Sequence, residues 1–256
     1  MSIQTPLRWD LADPLPARAQ LLMALGPQDP PIVVQLDWLQ QAAAPQDPSV
    51  SPFPQALSQH LNATERARLV AFRQPQDRWR HGLARSGLKL LLAEVLGVKP
   101  LAVDIQSGHR GKPYLAPTPA LPVPPQFNGS HAGDLVLLAL HPSQAVGVDT
   151  ERLARHFNLE RLASRVLSEQ DHLALGLLPA QQQRAFLLAH WCRLEAQLKC
   201  SGLGLAGLDA LGKGADSPPL NLLALALPEG YCGALAWAQP PIIQPLRRSN
   251  SASTAA

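Results

Sequence analysis

The sequence predicts an α+β fold made of two halves, each with one long helix and several strands. Three observations carry this. Two helical segments, Asp77 to Leu96 and Pro179 to about Cys200, are each followed by a glycine, Gly97 or Gly202, suited to a helix C-cap. Compact apolar runs of strand length occur, chief among them Leu135–Leu140. Between the two helices, residues 115–125 hold five prolines, a stiff connector near the middle of the chain.

Taken in order, residues 1–56 show the weakest pattern. Pro-Gln-Asp-Pro-Pro at 27–31 and the stretch from Pro45 to Pro54 read as loops, with a short strand at Ile32–Leu36 between them. A helix begins near Asn62 or Thr64, either of which can accept hydrogen bonds from the first-turn amides, and ends before Pro75. In the next helix Leu88, Leu91, Leu92, Val95 and Leu96 recur at helical spacing. Leu135–Leu140 and Ala145–Asp149, joined by a turn at His141–Gln144, are expected to pair as a hairpin. Leu159, Leu162, Ala163 and Val166 share a helix face, and Ser168 with Asp171 resembles a capping box. Strands return at Leu220–Leu227 and Cys232–Trp237. The expected units are 1–56, the N-terminal part of the first half; 57–120, its helix-rich remainder; 121–245, the second half; and a disordered tail at 246–256.

Composition excludes several classes. An apolar content of 46% is too high for a disordered chain, and a net charge of +3 without a dense basic stripe argues against nucleic-acid binding. No apolar run approaches the ~18–20 residues of a membrane span, and the start lacks a signal-peptide pattern. Three cysteines without a CxxC pair read as free thiols, so a cytoplasmic protein is expected.

Four clusters carry chemistry. In Gly147-Val-Asp-Thr-Glu151, a strand places Asp149 and Glu151 on one face, where a hard divalent ion relieves their repulsion; the plainer alternative is a solvent-facing strand end. Trp191, Glu195 and Lys199 are four apart and line one helix face; Glu195 and Lys199 alone read more simply as a surface ion pair, and the tryptophan beside them argues for a partly buried site. Phe127-Asn-Gly-Ser-His131 puts a hydroxyl and an imidazole at a sheet edge, where anions can be held. Adjacent strand residues point to opposite sides, so His131 is badly placed to activate Ser130 as a hydrolase nucleophile. Gly108-His-Arg-Gly-Lys-Pro-Tyr114 lacks the spacing of a nucleotide-binding phosphate loop, though Lys112 can still meet a phosphate.

In this order, Gly111-Lys-Pro-Tyr114, Phe127 to His131, Gly147 to Glu151 and Trp191 to Lys199 resemble the 4′-phosphopantetheinyl transferases of the larger, pseudodimeric type that activates surfactin synthetase. The match spans roughly residues 60–207. The resemblance implies two similar halves related by a pseudo-twofold, with the active site in the cleft between them. It implies transfer of the phosphopantetheine arm of coenzyme A to a serine of an acyl or peptidyl carrier protein, releasing adenosine 3′,5′-bisphosphate. By the same resemblance Asp149, Glu151 and Glu195 hold Mg²⁺, and Glu195 deprotonates the serine. Ser130, His131, Arg80, Lys112 and Lys199 face the coenzyme, His131 its 3′-phosphate. A chain holding both halves is expected to be a monomer. The family pattern has a lysine where Leu194 stands and a larger apolar residue at Gly129. The alternatives are a homologue that only binds coenzyme A or a carrier, and an unrelated Mg²⁺-dependent phosphoesterase.

Overall fold

The computed structural model describes residues 3–11, 13, 22–26, 28–37, 53–108, 110–204, 207 and 219–239. The first part of the chain supplies β1 (Ile3–Gln4), β2 (Leu7–Arg8), β3 (Ile32–Asp37), α1 (Gln55–Ser58), α2 (Ala63–Ala71) and α3 (Pro75–Leu96). Next come β4 (Ile105–Ser107), β5 (Pro113–Leu115), β6 (Gln126–Ala132), β7 (Leu135–His141) and β8 (Val146–Arg152). The remainder holds α4 (Leu159–Val166), α5 (Glu169–Leu177), α6 (Ala180–Ser201), β9 (Leu220–Leu225) and β10 (Tyr231–Ala238). The expected tail at 246–256 and residues 45–52 of the expected loop lie outside the described residues.

Two four-stranded sheets form, in the orders β2-β3-β7-β6 and β1-β9-β10-β8, while β4 and β5 make a separate hairpin. Each large sheet repeats one scheme. A strand (β3 or β8) leads into a long helix (α3 or α6), and a later antiparallel pair returns with its second strand, β7 or β10, in the middle. Both long helices have 22 residues and stop at a left-handed glycine, Gly97 (φ 64°) or Gly202 (φ 70°). The two α+β halves expected from the sequence are present in this form.

Three expectations change. Leu135–Leu140 and Ala145–Asp149 do not form a hairpin: β7 and β8 lie in different sheets, and β7 pairs with β6 across Gly133 (φ 53°). Residues 142–145 carry the chain from one sheet to the other, and His141 Nδ1 holds that turn by accepting from the amides of Ser143 (3.1 Å) and Gln144 (2.7 Å). The seam between sheets therefore falls after β7, not in the proline-rich connector, because β6 and β7 complete the sheet of the first half. Finally, the N-terminal segment is shared. β2 pairs in parallel with β3, whereas β1 pairs in parallel with β9 of the other sheet.

The reason β7 takes a central place is that every residue in it is buried. Val136, Leu138 and Leu140 pack with Val34, Leu36, Trp79 and Leu83 in the core under α3. Leu135, Leu137 and Ala139 face the other way, into a cluster with Val146, Val148, Leu235 and Trp237 of the second sheet. A strand apolar on both faces needs a cover on each, here a helix and a second sheet. Each fully buried leucine is worth about 1.5–3 kcal/mol.

Helix α6 covers the outer side of the second sheet through small residues, Cys192, Ala196 and Cys200 against Ala234 and Ala236. At Gly147 the approach is backbone to backbone. A Cβ there would stand 2.0 Å from Ala196 O and 2.4 Å from Cys200 N. The first half has its own fixed point in Glu65. Asn62, rather than Thr64, caps α2: the Glu65 amide donates to Asn62 Oδ1 (2.9 Å) and the Asn62 amide to Glu65 Oε2 (2.8 Å). Glu65 also binds Arg85 Nε (2.6 Å) and Lys89 Nζ (3.0 Å), and the Lys89 side chain is fully buried. Burial pushes the Glu65 carboxyl up, but the Asn62 amide, Lys89 and Arg85 together hold it below its ordinary value.

Two outcomes follow from this packing. Gly147→Ala is expected to lower stability by at least about 1–3 kcal/mol by forcing α6 off β8, read in a melting curve; an unchanged melting temperature would contradict this seating of the helix. Glu65→Gln leaves the buried Lys89 ammonium uncompensated and should cost about 3–5 kcal/mol at neutral pH. Because the folded-state pKa of Glu65 lies below its unfolded value, its contribution is present above the ordinary carboxylate range and is lost as pH falls through the lowered value. The gap between the wild type and Glu65→Gln in denaturant titrations should therefore close in acid; a constant gap would count against the ion pair.

Candidate functional site

The two sheets meet along β6 and β8, and side chains of one complete the backbone of the other. In the second sheet β8 is an edge strand, so its outer amides need partners. Asn128 Oδ1 accepts from Val148 N (3.0 Å) and Ser130 Oγ accepts from Thr150 N (3.3 Å). The two-residue spacing of Asn128 and Ser130 along β6 matches that of the amides they serve. Ser130 also donates to Asp149 Oδ1 (2.9 Å).

From the other side α6 lays Trp191, Glu195 and Lys199 along one face, as their spacing predicts. Trp191 Nε1 donates to Glu151 Oε1 (3.1 Å). Lys199 Nζ donates to Asp149 Oδ1 (2.6 Å), Ser130 Oγ (3.1 Å) and Val148 O (3.3 Å). Lys199 thus pairs with Asp149 across the strand rather than with Glu195 along its own helix. Arg155, in the turn after β8, forms an ion pair with Glu151.

These groups surround an open cleft of about 370 Å³, lined by Ser130, His131, Asp149, Glu151, Glu195 and Lys199 together with Gly129, Thr150, Arg155 and Trp191. Six of the eight residues singled out from the sequence therefore come together. Lys112 does not line this cleft. It sits in a neighbouring recess that shares Lys199, in the turn between β4 and β5, and donates to Cys200 O (2.8 Å) and Val146 O (3.1 Å). No helix follows that turn, in keeping with the missing phosphate-loop spacing. Arg80 lies on α3 beside the cleft, paired with Asp77 (2.7 Å) and close enough for its charge to act on His131. Leu194 is half-buried next to Glu195.

The electrostatics of the cleft are strained toward negative charge. Burial lifts the Glu151 carboxyl above its ordinary value against the pull of Arg155, and Asp149 adds to the lift. Glu195 is likewise raised, first by burial and then by the charge of Asp149. His131 opens to solvent at the rim, yet the protein around it, followed by the charges of Arg80 and Lys199, pushes its pKa down. Asp149 Oδ2 is sealed from solvent and has no hydrogen-bond partner among the described residues. Among the described residues no three His, Cys, Asp or Glu side chains are gathered tightly enough to cage a metal ion. An oxygen-only donor set, an unpartnered buried carboxylate oxygen and two carboxyls lifted first by burial and further by the charge of Asp149 nonetheless fit a hard divalent cation.

Two residues escaped the sequence reading. Asn128 stands in a quoted motif without a role, although its two-residue spacing from Ser130 was a usable signal. Arg155 lies in an irregular turn, where no periodicity connects it with Glu151.

Comparison with known proteins agrees with this geometry. Residues 46–143 match the family model of the 4′-phosphopantetheinyl transferase N-terminal region, and residues 145–217 that of the 4′-phosphopantetheinyl transferase superfamily. The boundary between the two matches coincides with the passage from β7 to β8. The chain is 32% identical to the 4′-phosphopantetheinyl transferase HetI of Nostoc over 193 residues, covering 70% of this chain and 79% of that protein. It is 33% identical over 205 residues to a phosphopantetheinyl transferase of Thraustochytrium, covering 74% and 68%. It is also 33% identical to AcpT of Escherichia coli over 127 residues, covering 50% and 58%. With both halves matched in order, the chain belongs to the 4′-phosphopantetheinyl transferase superfamily and is a transferase of that type.

Proposed function

We propose that the enzyme transfers the 4′-phosphopantetheine arm of coenzyme A to a serine of an acyl or peptidyl carrier protein, with Mg²⁺ in the cleft, and releases adenosine 3′,5′-bisphosphate. The observation that supports this is the single cleft in which Asp149, Glu151 and Glu195 stand beside Lys199 and His131, in a chain of this family. Family membership sets aside an unrelated phosphoesterase.

Each residue has a role in this reading. Asp149, Glu151 and Glu195 hold the cation, which when bound neutralises charge on the pyrophosphate. The carrier serine oxygen forms a bond to the phosphorus bearing the pantetheine arm, and the bond from that phosphorus to the bridging oxygen breaks. The electron pair leaves with adenosine 3′,5′-bisphosphate. The serine proton passes to Glu195, the carboxylate that α6 presents to the cleft. His131 and Arg80, at the rim, meet the 3′-phosphate. A phosphate dianion there would reverse the depression of the His131 pKa and favour its charged, donating form. Lys112, by this assignment, lends charge to the coenzyme from the adjoining recess. In this reading the enzyme works as a monomer in the cytoplasm.

Mass spectrometry of a carrier protein incubated with the enzyme, coenzyme A and Mg²⁺ tests the transfer. The carrier should gain the phosphopantetheine mass with wild-type enzyme and fail to gain it with a folded Asp149→Ala variant; normal transfer by that variant would overturn the metal assignment. His131→Ala should weaken coenzyme A binding by roughly ten- to hundred-fold, the worth of a charge-assisted hydrogen bond. It should weaken binding of 3′-dephospho-coenzyme A much less, and equal losses in calorimetry would show that His131 does not read that phosphate.

A further inference from the structure

Asp149 is the most enclosed carboxylate of the cleft, only 5% exposed, whereas Glu151 and Glu195 are half-buried. A buried carboxylate needs a compensating charge. Among the described residues, the one ion pair Asp149 makes is with Lys199, at 2.6 Å. The two carboxylate oxygens are used unequally. Oδ1 takes both Lys199 Nζ and Ser130 Oγ, while Oδ2 is sealed and unpartnered. Lys199 itself is less enclosed, its side chain 28% exposed, and it reaches Asp149 from α6 on a flexible four-carbon stem.

A divalent cation approaching Asp149 therefore meets an ammonium already seated on the same carboxylate. Two cations sharing one carboxylate repel at close range, and the enclosure of Asp149 leaves that repulsion less screened than in bulk water. We infer that Lys199 is the resident counter-ion of Asp149 in the cation-free enzyme, and that a divalent cation entering the cleft displaces it. The inference rests on the Mg²⁺-dependent reading of the cleft and adds to it an exchange of charges. Empty, Asp149 is neutralised from within the protein. Loaded, it sets one ammonium free in the space that the anionic substrate enters. Ser130 stays within reach of Asp149 Oδ1 and the Thr150 amide, so the strand edge keeps its partners when the ammonium leaves.

The test measures Mn²⁺ binding alone, without coenzyme A, to the full chain by electron paramagnetic resonance, so no activity enters the readout. Lys199→Met should bind Mn²⁺ about tenfold more tightly or better, because no ammonium competes. Lys199→Arg, which keeps the charge, should bind like the wild type, and Asp149→Asn should lose the site in either background. In melting curves Mn²⁺ should stabilise Lys199→Met more than the wild type, a readout that survives if the variant is unstable without cation. Unchanged or weaker Mn²⁺ affinity in Lys199→Met, or equal thermal shifts, with binding still dependent on Asp149, overturns the inference alone. Absence of Asp149-dependent Mn²⁺ binding in every variant overturns it together with the metal reading.

Discussion

Helix α6 rests directly on the backbone of β8 because Gly147 carries no side chain and the neighbouring contact residues are alanines and cysteines. Everything in the cleft depends on that short distance. From this seat Trp191 reaches Glu151 and Lys199 reaches Asp149, Ser130 and the Val148 carbonyl. With larger residues between helix and strand, the same side chains would stand too far apart to hydrogen-bond. The glycine that opens the Gly147–Glu151 segment is thus part of the site's geometry, although it presents no functional group.

A second constraint joins the halves. An edge strand leaves every other amide unpaired, and β8 settles this by borrowing Asn128 and Ser130 from β6. The polar contacts that fix one half against the other are also the contacts that aim Ser130 at Asp149. Below them lies a dry layer formed by Val33, Leu135 and Leu137 against Val146, Val148 and Leu235, which gives the interface its hydrophobic stabilisation. The polar rim determines register and the apolar layer supplies cohesion, the usual division of labour at a well-packed interface.

Much of this was legible in the sequence, and what was not has physical causes. The long helices were readable because apolar spacing and glycine caps are local signals, and Trp191, Glu195 and Lys199 could be placed on one face for the same reason. The carboxylates Asp149 and Glu151 were readable as a pair from strand periodicity. Strand pairing was not. Leu135–Leu140 is apolar on both faces, so its pattern is the same whether it pairs with β6 or β8, and short connecting turns favoured the wrong neighbour. The position of Lys112 depends on a turn folding over the end of α6, a contact between residues 88 positions apart that no local pattern records. The ion pair of the buried Lys89 with Glu65, 24 positions away, is likewise recorded by no local pattern.

The division of the N-terminal segment between the two sheets bears on the order in which the protein can assemble during synthesis. Ile3 pairs with Ala224 and Leu7 with Val34, so two adjacent strands wait for partners made at very different times. The nearer pairing can close as soon as β3 emerges from the ribosome, whereas β1 must remain unmatched until β9 has been translated. Contacts so distant in sequence form late and slowly. Until then β1 offers a short unsatisfied strand edge beside a first sheet that has already folded, a state in which chaperone capture or association with another nascent chain competes with completion. Brevity limits that exposure: the strand is two residues long, enough to finish the edge of the second sheet and too short to template much else.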